Sequence, residues 1–133
     1  MSAAFISERH GERGSAAVEF ALVIPLILTM SLALVQVGLL VKDRVLVEES
    51  ARTGARAAAV SADDDEVRQA VLSAAVGMDQ AHLEVTVRRE GGAGSPVTVT
   101  VLYRAPATLP LVGWLFPDMV DLRGAAVMRQ EVG

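Results

Sequence analysis

The sequence predicts an α+β protein, in which a long N-terminal transmembrane helix continues into a small domain with one short helix and a three-stranded antiparallel sheet. Two observations support this prediction. The stretch from Phe20 to Val41 contains 22 residues and no charge. From Leu83 onward, apolar residues recur at every second position, as in strands that bury one face. The 133 residues leave room for one modest domain beyond the helix.

The uncharged run is long enough to cross a bilayer. At ~1.5 Å per residue it extends roughly 33 Å, compared with a hydrocarbon core of ~30 Å. Pro25 should kink or loosen its first turns because proline lacks an N–H. Glu19 immediately precedes the run, and an acid at the edge of a membrane helix is a candidate functional residue.

Three interpretations of this run remain open on these residues alone. The run can be the apolar core of a secretory signal peptide that is removed, although it is longer than the 7–15 residues of a usual core, which weighs against this interpretation. It can be a plain anchor with Glu19 at the interface, or a segment that first anchors the protein and later forms the core of a filament. Lysine and arginine flank the run about equally on both sides, so they do not indicate its orientation.

The first helix is expected to run from about Ala16 to about Val60, past the end of the membrane segment. Its apolar residues beyond the membrane recur at spacings of three and four, which places them on one face. That face consists of Leu40, Val47, Ala51, Gly54, Ala55 and Ala58. Glu48 and Arg52 have the i,i+4 spacing of a favourable ion pair. The small side chains should let another element approach closely.

A second helix is predicted after a break at Ser61. Ser61 or Asp63 can cap it, and Glu66 has capping-box spacing from Asp63. Gly77 is a plausible stop. Its apolar stripe consists of Val67, Ala70, Val71, Ala74 and Met78.

Three strands follow this helix. Leu83, Val85 and Val87 alternate with polar residues, and a Gly-rich turn leads to a second alternation that runs from Val97 to Tyr103. The stretch Val120 to Glu131 is the third predicted strand, with Leu122, Ala126 and Met128 facing inward. Between strands two and three, an irregular apolar loop either folds back over the sheet or exposes Trp114 and Phe116 as a patch.

The composition argues against several kinds of site. A net charge of -4 offers no electrostatic footprint for nucleic acid, and the chain has no cysteine for disulfides or thiolate-bound metals. His10 and His82 make no histidine cluster, and the acidic run Asp63–Glu66 lacks the spaced ligands of a calcium loop. We therefore predict no enzyme, no cofactor and no metal.

The residues around the start of the uncharged run resemble a known family. Gly14-Ser15 followed by Glu19-Phe20 and Pro25 resembles the class III-type leader of the TadE-like pseudopilins of the tight-adherence (Flp) type IV pilus. A second likeness is the run Ser50–Ala58, which is similar to the family's "AAReGAR" signature. It departs from that signature at Ser50 and Thr53, where alanine and an acid are commoner.

The resemblance implies that the chain is a minor pseudopilin. A prepilin peptidase would cut between Gly14 and Ser15, giving a leader (1–14), an N-terminal helix (15–60, transmembrane over 20–41) and an extracytoplasmic α+β domain (61–133). The protein would span the cytoplasmic membrane once and could enter a surface pilus. Its partners would be the peptidase, other pilins or pseudopilins, the pilus assembly platform and membrane lipid, but not nucleic acid.

The spacing of Glu19 also has a physical rationale. Cleavage at Gly14 creates an amine on Ser15, one helical turn before Glu19. An unpaired carboxylate in lipid is costly, whereas a paired one is tolerable. Glu19 can thus pair with the amine of its own chain or of a neighbour. Further candidates are Phe20 and Pro25 for assembly, and Ala51, Arg52, Gly54, Ala55, Arg56, Trp114 and Phe116 for partner or domain packing. Arg52 and Arg56 are either surface charges or partners of acids such as Asp121 or Glu131.

Overall fold

The computed structural model describes the backbone of residues 3–107 and 109–133, with side chains from Gly11 onward. Within these residues, the main elements are α1 (Ala3–Val60), α2 (Asp64–Ala74), β1 (Leu83–Arg89), β2 (Pro96–Pro106) and β3 (Met119–Arg129). Short 3₁₀ turns lie at Gln80–His82 and Gly113–Leu115. The strands form an antiparallel sheet in the order β1-β2-β3. The predicted fold class is confirmed.

Helix α1 is one continuous helix of 58 residues. It ends at Val60 as predicted but begins at Ala3, earlier than the predicted start near Ala16. No proline precedes Gly14, and a glycine inside a helix costs only ~1 kcal/mol relative to alanine, so the helix passes through it. Pro25 also lies inside α1. Its missing N–H leaves the carbonyl of Ala21 without its usual helical donor.

The core lies between the sheet and the last four turns of α1. The predicted strand alternation is confirmed, since Val97, Val99, Val101 and Tyr103 of β2 are all buried. They meet a buried face of α1, and α2 covers the same core from the side. The buried residues of the two helices in this core are Val47, Ala51, Ala55, Ala58, Val67 and Val71.

Two glycines allow α1 to approach its neighbours closely. A Cβ atom added at Gly54 would lie 2.5 Å from Cγ2 of Val71 and 2.9 Å from Cγ1 of Val99. One added at Gly124 of β3 would lie 2.9 Å from the carbonyl oxygen of Val47. The small-residue face predicted around Gly54 therefore packs against α2 and the sheet. The matching glycine on β3 had not been predicted.

The acidic run Asp63–Glu66 forms the start of α2. Asp63 is the N-cap, and its Oδ1 accepts from the amide of Asp65 at 2.9 Å. The capping box differs from the predicted one, because Glu66 accepts a 2.5 Å bond from the Ser61 hydroxyl and not from the Asp63 amide. That amide donates to Ser61 Oγ at 3.2 Å. The helix ends at Ala74, and Gly77 follows with a φ of 80°.

The predicted ion pair between Glu48 and Arg52 is wrong. Arg52 instead pairs with Glu49, 2.9 Å away, and Arg44 pairs with Glu48 at 3.4 Å. Each arginine has a glutamate within about one helical turn, and Glu48 pairs with Arg44, which leaves Glu49 as the partner of Arg52. Glu48 is partly exposed and the other three side chains are largely exposed, and such surface pairs contribute little to stability.

Candidate functional site

The N-terminal half of α1 presents an apolar surface that the rest of the chain does not cover. Leu22 is 74% exposed and Leu34 is 72% exposed. Among the described residues, one helix is long and apolar enough to cross a membrane, and it is this one, over Gly11–Val60. Apolar side chains in such numbers are unfavourable in water and favourable in lipid or against other helices. This surface is a candidate for membrane anchoring.

The predicted processing and assembly residues lie at the beginning of that surface. Gly14, Ser15, Glu19 and Phe20 are all exposed on α1. A Cβ atom at Gly14 would meet nothing within 4 Å. Four residues separate Ser15 from Glu19, an axial rise of ~6 Å. An amine formed at Ser15 would therefore stand one turn from the Glu19 carboxylate.

The run from Ser50 to Ala58 divides into two faces. Ala51, Gly54 and Ala55 are buried against α2 and the sheet, whereas Arg52 and Arg56 are exposed. The structure thus places the small residues of this run inside the protein. Its arginines face outward, where a second subunit can reach them. Asp121, one of the acids suggested as an arginine partner, lies 3.9 Å from Arg104.

The C-terminal end of α1 is held by an arginine that sequence reasoning missed. Arg89, at the end of β1, donates from Nη1 to the carbonyl oxygen of Ala58 at 2.9 Å and from Nη2 to that of Ser61 at 3.0 Å. It also contacts Asp64 Oδ1 and Gln130 Oε1, each at 3.1 Å. Carbonyls in the last helical turn lack intrahelical donors, and a cation there complements the helix dipole.

A usable signal for this arginine was present in the sequence. No basic residue stands in the last turn of α1, so the helix itself supplies no cation to its C-terminal carbonyls. The alternation of β1 ends in Arg88-Arg89, and one of two consecutive strand residues must face inward. Arg88 is exposed and Arg89 is the inward one.

Gln130 completes this helix-end cluster (Ala58, Ser61, Asp64, Arg89 and Gln130). Its side chain is buried and donates to the carbonyl oxygen of Gly91 at 2.8 Å, within the Gly-rich turn. The adjacent amide of Glu131 donates to the carbonyl oxygen of Ala59 at 2.7 Å. The end of β3 therefore joins the turn between β1 and β2 to the end of the long helix.

The apolar loop (Leu109–Phe116) contacts α1 inside the uncharged run. Gln36 is only 2% exposed although it belongs to that run, and its Oε1 accepts from the amide of Leu109 at 3.3 Å. Val112 is buried, while Trp114 is 77% exposed. Phe116 is half-buried. The loop therefore combines features of both predicted alternatives: part of it packs inward and part of it is an exposed apolar surface. The contact at Gln36 was not predicted.

The described residues from Gly11 onward contain no group of three or more histidine, cysteine, aspartate or glutamate side chains able to hold a metal ion. The side chain of His10 lies outside the described part of the chain, as do Met1 and Ser2 of the predicted leader. His82 Nδ1 lies 3.2 Å from Asp79 Oδ2 at the turn that precedes β1. The acids of Asp63–Glu66 serve the start of α2.

Comparison with known proteins connects this geometry to a family. Residues 14–56 match the family model described as TadE-like protein. The match begins at Gly14, covers the exposed apolar half of α1 and ends at Arg56, an exposed residue in the part of α1 that packs against the sheet. It confirms the resemblance drawn from the leader and the Ser50–Ala58 run. No curated protein and no solved structure gives a match to the chain.

Proposed function

With residues 14–56 as a TadE-like segment, we propose that this protein is a minor pseudopilin that assembles into, primes or supports a tight-adherence (Flp) type IV pilus. The match indicates a structural role associated with that pilus system. One observation supports the pseudopilin role: the matched segment coincides with a helix whose apolar surface is not covered by the rest of its own chain. A filament subunit needs such a surface twice, first against lipid and then against neighbouring helices.

Processing is the first step of the proposal. A prepilin peptidase hydrolyses the Gly14–Ser15 peptide bond, which releases residues 1–14 and leaves an ammonium group on Ser15. The absence of any neighbour near Gly14 supports access to this bond. Because α1 is helical on both sides of Gly14, the peptidase must unwind this part of the helix locally before cutting it.

Pairing of charges is the second step. In lipid the exposed Glu19 carboxylate lacks water, and an ammonium group one helical turn away satisfies it. The partner can be the Ser15 amine of the same chain or that of an adjacent subunit. A pair between subunits would set their axial register, since a displacement of one turn separates the charges. Phe20 and Pro25, next along α1, would then pack between helices.

The proposal also assigns an orientation. The N-terminus would face the cytoplasm, where the peptidase acts, and the sheet and α2 would lie outside the cytoplasmic membrane. Other pilins or pseudopilins would contact the exposed half of α1, and the assembly platform would extract the subunit from lipid. Arg56 and Arg52, the latter paired with Glu49 of its own helix, are both exposed, so acidic groups on these partners could reach them.

An uncleaved single-pass anchor with an extracellular partner-binding domain is the second candidate. The structural observation in its favour is that α1 continues from Ala3 through Gly14, so no break in the helix separates the predicted leader from the rest of the chain. In this alternative Glu19 lies among headgroups and no amine is formed at Ser15. The two candidates differ in the mass of the finished protein.

The test uses the full chain with a C-terminal tag, expressed in cells with and without a prepilin peptidase. Intact mass and N-terminal sequencing should show a protein that begins at Ser15 only when the peptidase is present. Gly14→Leu should block this change. Gly11→Leu is the matched control, because both glycines are exposed with nothing within 4 Å of a Cβ. An intact leader in peptidase-containing cells would select the anchor.

A further inference from the structure

The apolar loop lies at the level of the membrane segment and not above it. The Leu109 amide reaches Gln36, which stands five residues before the end of the uncharged run at Val41. Five residues of helix correspond to ~7.5 Å along the axis. The attached part of the loop is therefore about that far inside the boundary that the run itself defines.

The apolar side chains of the loop divide into one that is buried against the protein and several that are exposed. Val112, 1% exposed, and the Leu109 amide hold the loop to the protein. Leu111 and Trp114 are 68% and 77% exposed, and Leu115 is 46% exposed. Leu111 adopts a φ of 68°, which is uncommon for a residue with a side chain. The loop thus combines an uncommon backbone conformation at Leu111 with apolar side chains that are exposed to solvent.

Trp114 is suited to a boundary between lipid and water. Its indole Nε1–H donates to the carbonyl oxygen of Leu111 at 2.8 Å, so the polar atom of the ring is satisfied within the loop. Tryptophan is enriched at membrane interfaces, where its apolar ring and polar edge meet different surroundings. Apolar groups of interfacial segments are buried ~5–10 Å into the boundary of headgroups and acyl chains, a depth that matches the position of Gln36.

We propose that the apolar loop inserts into the membrane leaflet nearest the sheet, beside α1, with Leu111, Trp114 and Leu115 in contact with lipid. This inference rests on the proposed membrane anchoring of α1. Lipid is the occupant because the loop is continuous with the lipid-facing surface of α1, where Val35 and Val37 flank Gln36 and are both exposed. The loop thereby forms a second attachment to the bilayer.

Trp114 allows a direct test because it is the one tryptophan of the chain. The full chain is reconstituted in phosphatidylcholine vesicles that carry lipids brominated either near the headgroup end or near the terminus of the acyl chains. Trp114 emission should be quenched in both kinds of vesicle, and more strongly by the bromine near the headgroup end. Emission that stays unquenched in both kinds of vesicle would overturn the proposal.

A reporter on the helix separates failure of the loop from failure of the anchor. The double variant Leu34→Trp with Trp114→Phe places the fluorophore in the exposed apolar half of α1. Quenching of this reporter without quenching of Trp114 leaves the anchor in place and refutes the loop insertion. If neither Trp114 nor the tryptophan introduced at position 34 is quenched, the membrane anchoring is refuted as well. Blue-shifted, unquenched Trp114 emission that depends on the protein-to-lipid ratio would identify a second copy as the occupant, against the proposal.

A pair of charge substitutions tests the contribution of the loop side chains. Leu111→Asp should expel the loop and reduce the quenching of Trp114. Val127→Asp is the control, because Val127 is similarly exposed, at 63%, but lies on the outer face of β3. Equal quenching in the two variants would contradict insertion driven by the apolar residues of the loop.

Discussion

The guanidinium of Arg89 donates to the carbonyl oxygen of Ala58 at 2.9 Å, so the last turn of α1 is capped by a strand residue 31 positions further along the chain. The same guanidinium contacts Asp64, in the first turn of α2. One side chain therefore joins the end of one helix to the beginning of the next and fixes both to the edge of the sheet.

Arg89→Met should lower the free energy of unfolding by about 2–3 kcal/mol, because it leaves partly buried carbonyls and Gln130 without a charged donor. Arg88→Met, next to it on the exposed face of β1, should change stability by less than about 0.5 kcal/mol. Urea unfolding of the full chain in detergent, followed by circular dichroism, measures both. Arg89→Lys should recover only part of the loss because lysine cannot reproduce the planar fork. Equal effects of the Arg88 and Arg89 variants would contradict the capping role.

Gly54→Leu should disturb the seating of the sheet on α1, since even a Cβ atom at this position would lie 2.5 Å from Cγ2 of Val71. Overpacking of this kind costs about 1–3 kcal/mol or more. Gly38→Leu is the control, because nothing lies within 4 Å of its Cβ position. Melting temperatures of the two variants should differ, with only the Gly54 variant lowered. An unchanged melting temperature for Gly54→Leu would show that the contact yields without cost.

Glu19→Ala should leave membrane insertion intact and reduce pilus yield. Removal of one member of a buried ion pair typically costs about 3–5 kcal/mol, which is enough to prevent a subunit from holding its register. Cell fractionation measures the insertion, and sheared pili together with co-purified subunits measure the assembly. Glu12→Ala changes another exposed acid, one within the predicted leader, and should have no effect on yield. The pairing role is wrong if the Glu19 variant assembles as well as the unchanged protein.

Gln36→Leu should release the apolar loop from α1, because the Leu109 amide loses its acceptor. A lost hydrogen bond to a buried group costs about 1–2 kcal/mol, a local effect that need not lower the global stability. Hydrogen exchange at residues 109–116 should accelerate while exchange in β2 stays the same. Gln69→Leu, on the exposed side of α2, serves as the control. Unchanged protection of the loop would show that Val112 alone holds it.

The parts of this fold that depend on periodicity could be read from the sequence. The alternation from Val97 to Tyr103 and the small-residue face around Gly54 each repeat a local rule over several turns or pleats, so the pattern predicts both the element and its buried side. The start of α1 was misjudged because Gly14 was taken as a boundary, although a single glycine does not end a helix.

The parts that depend on one long-range contact could not be read in this way. The alternation of β1 places Arg89 on the inward face, and Gln36 interrupts an apolar run, but neither pattern indicates which atoms these side chains contact. Their roles are determined by atoms of residues distant in the chain, Ala58 and Leu109. The processing and assembly roles of Gly14, Ser15 and Glu19 stay predictions drawn from the family likeness and from charge pairing.

The unbroken course of α1 has a mechanical consequence. A helix of 58 residues is a rod of roughly 87 Å, and the sheet is clamped to its far end by Arg89 and by the close approach at Gly54. A rotation of the lipid-facing end of α1 about its own axis would therefore be expected to carry the sheet with it. Pro25, where one backbone hydrogen bond of the helix is missing, is the position at which α1 is expected to bend most easily.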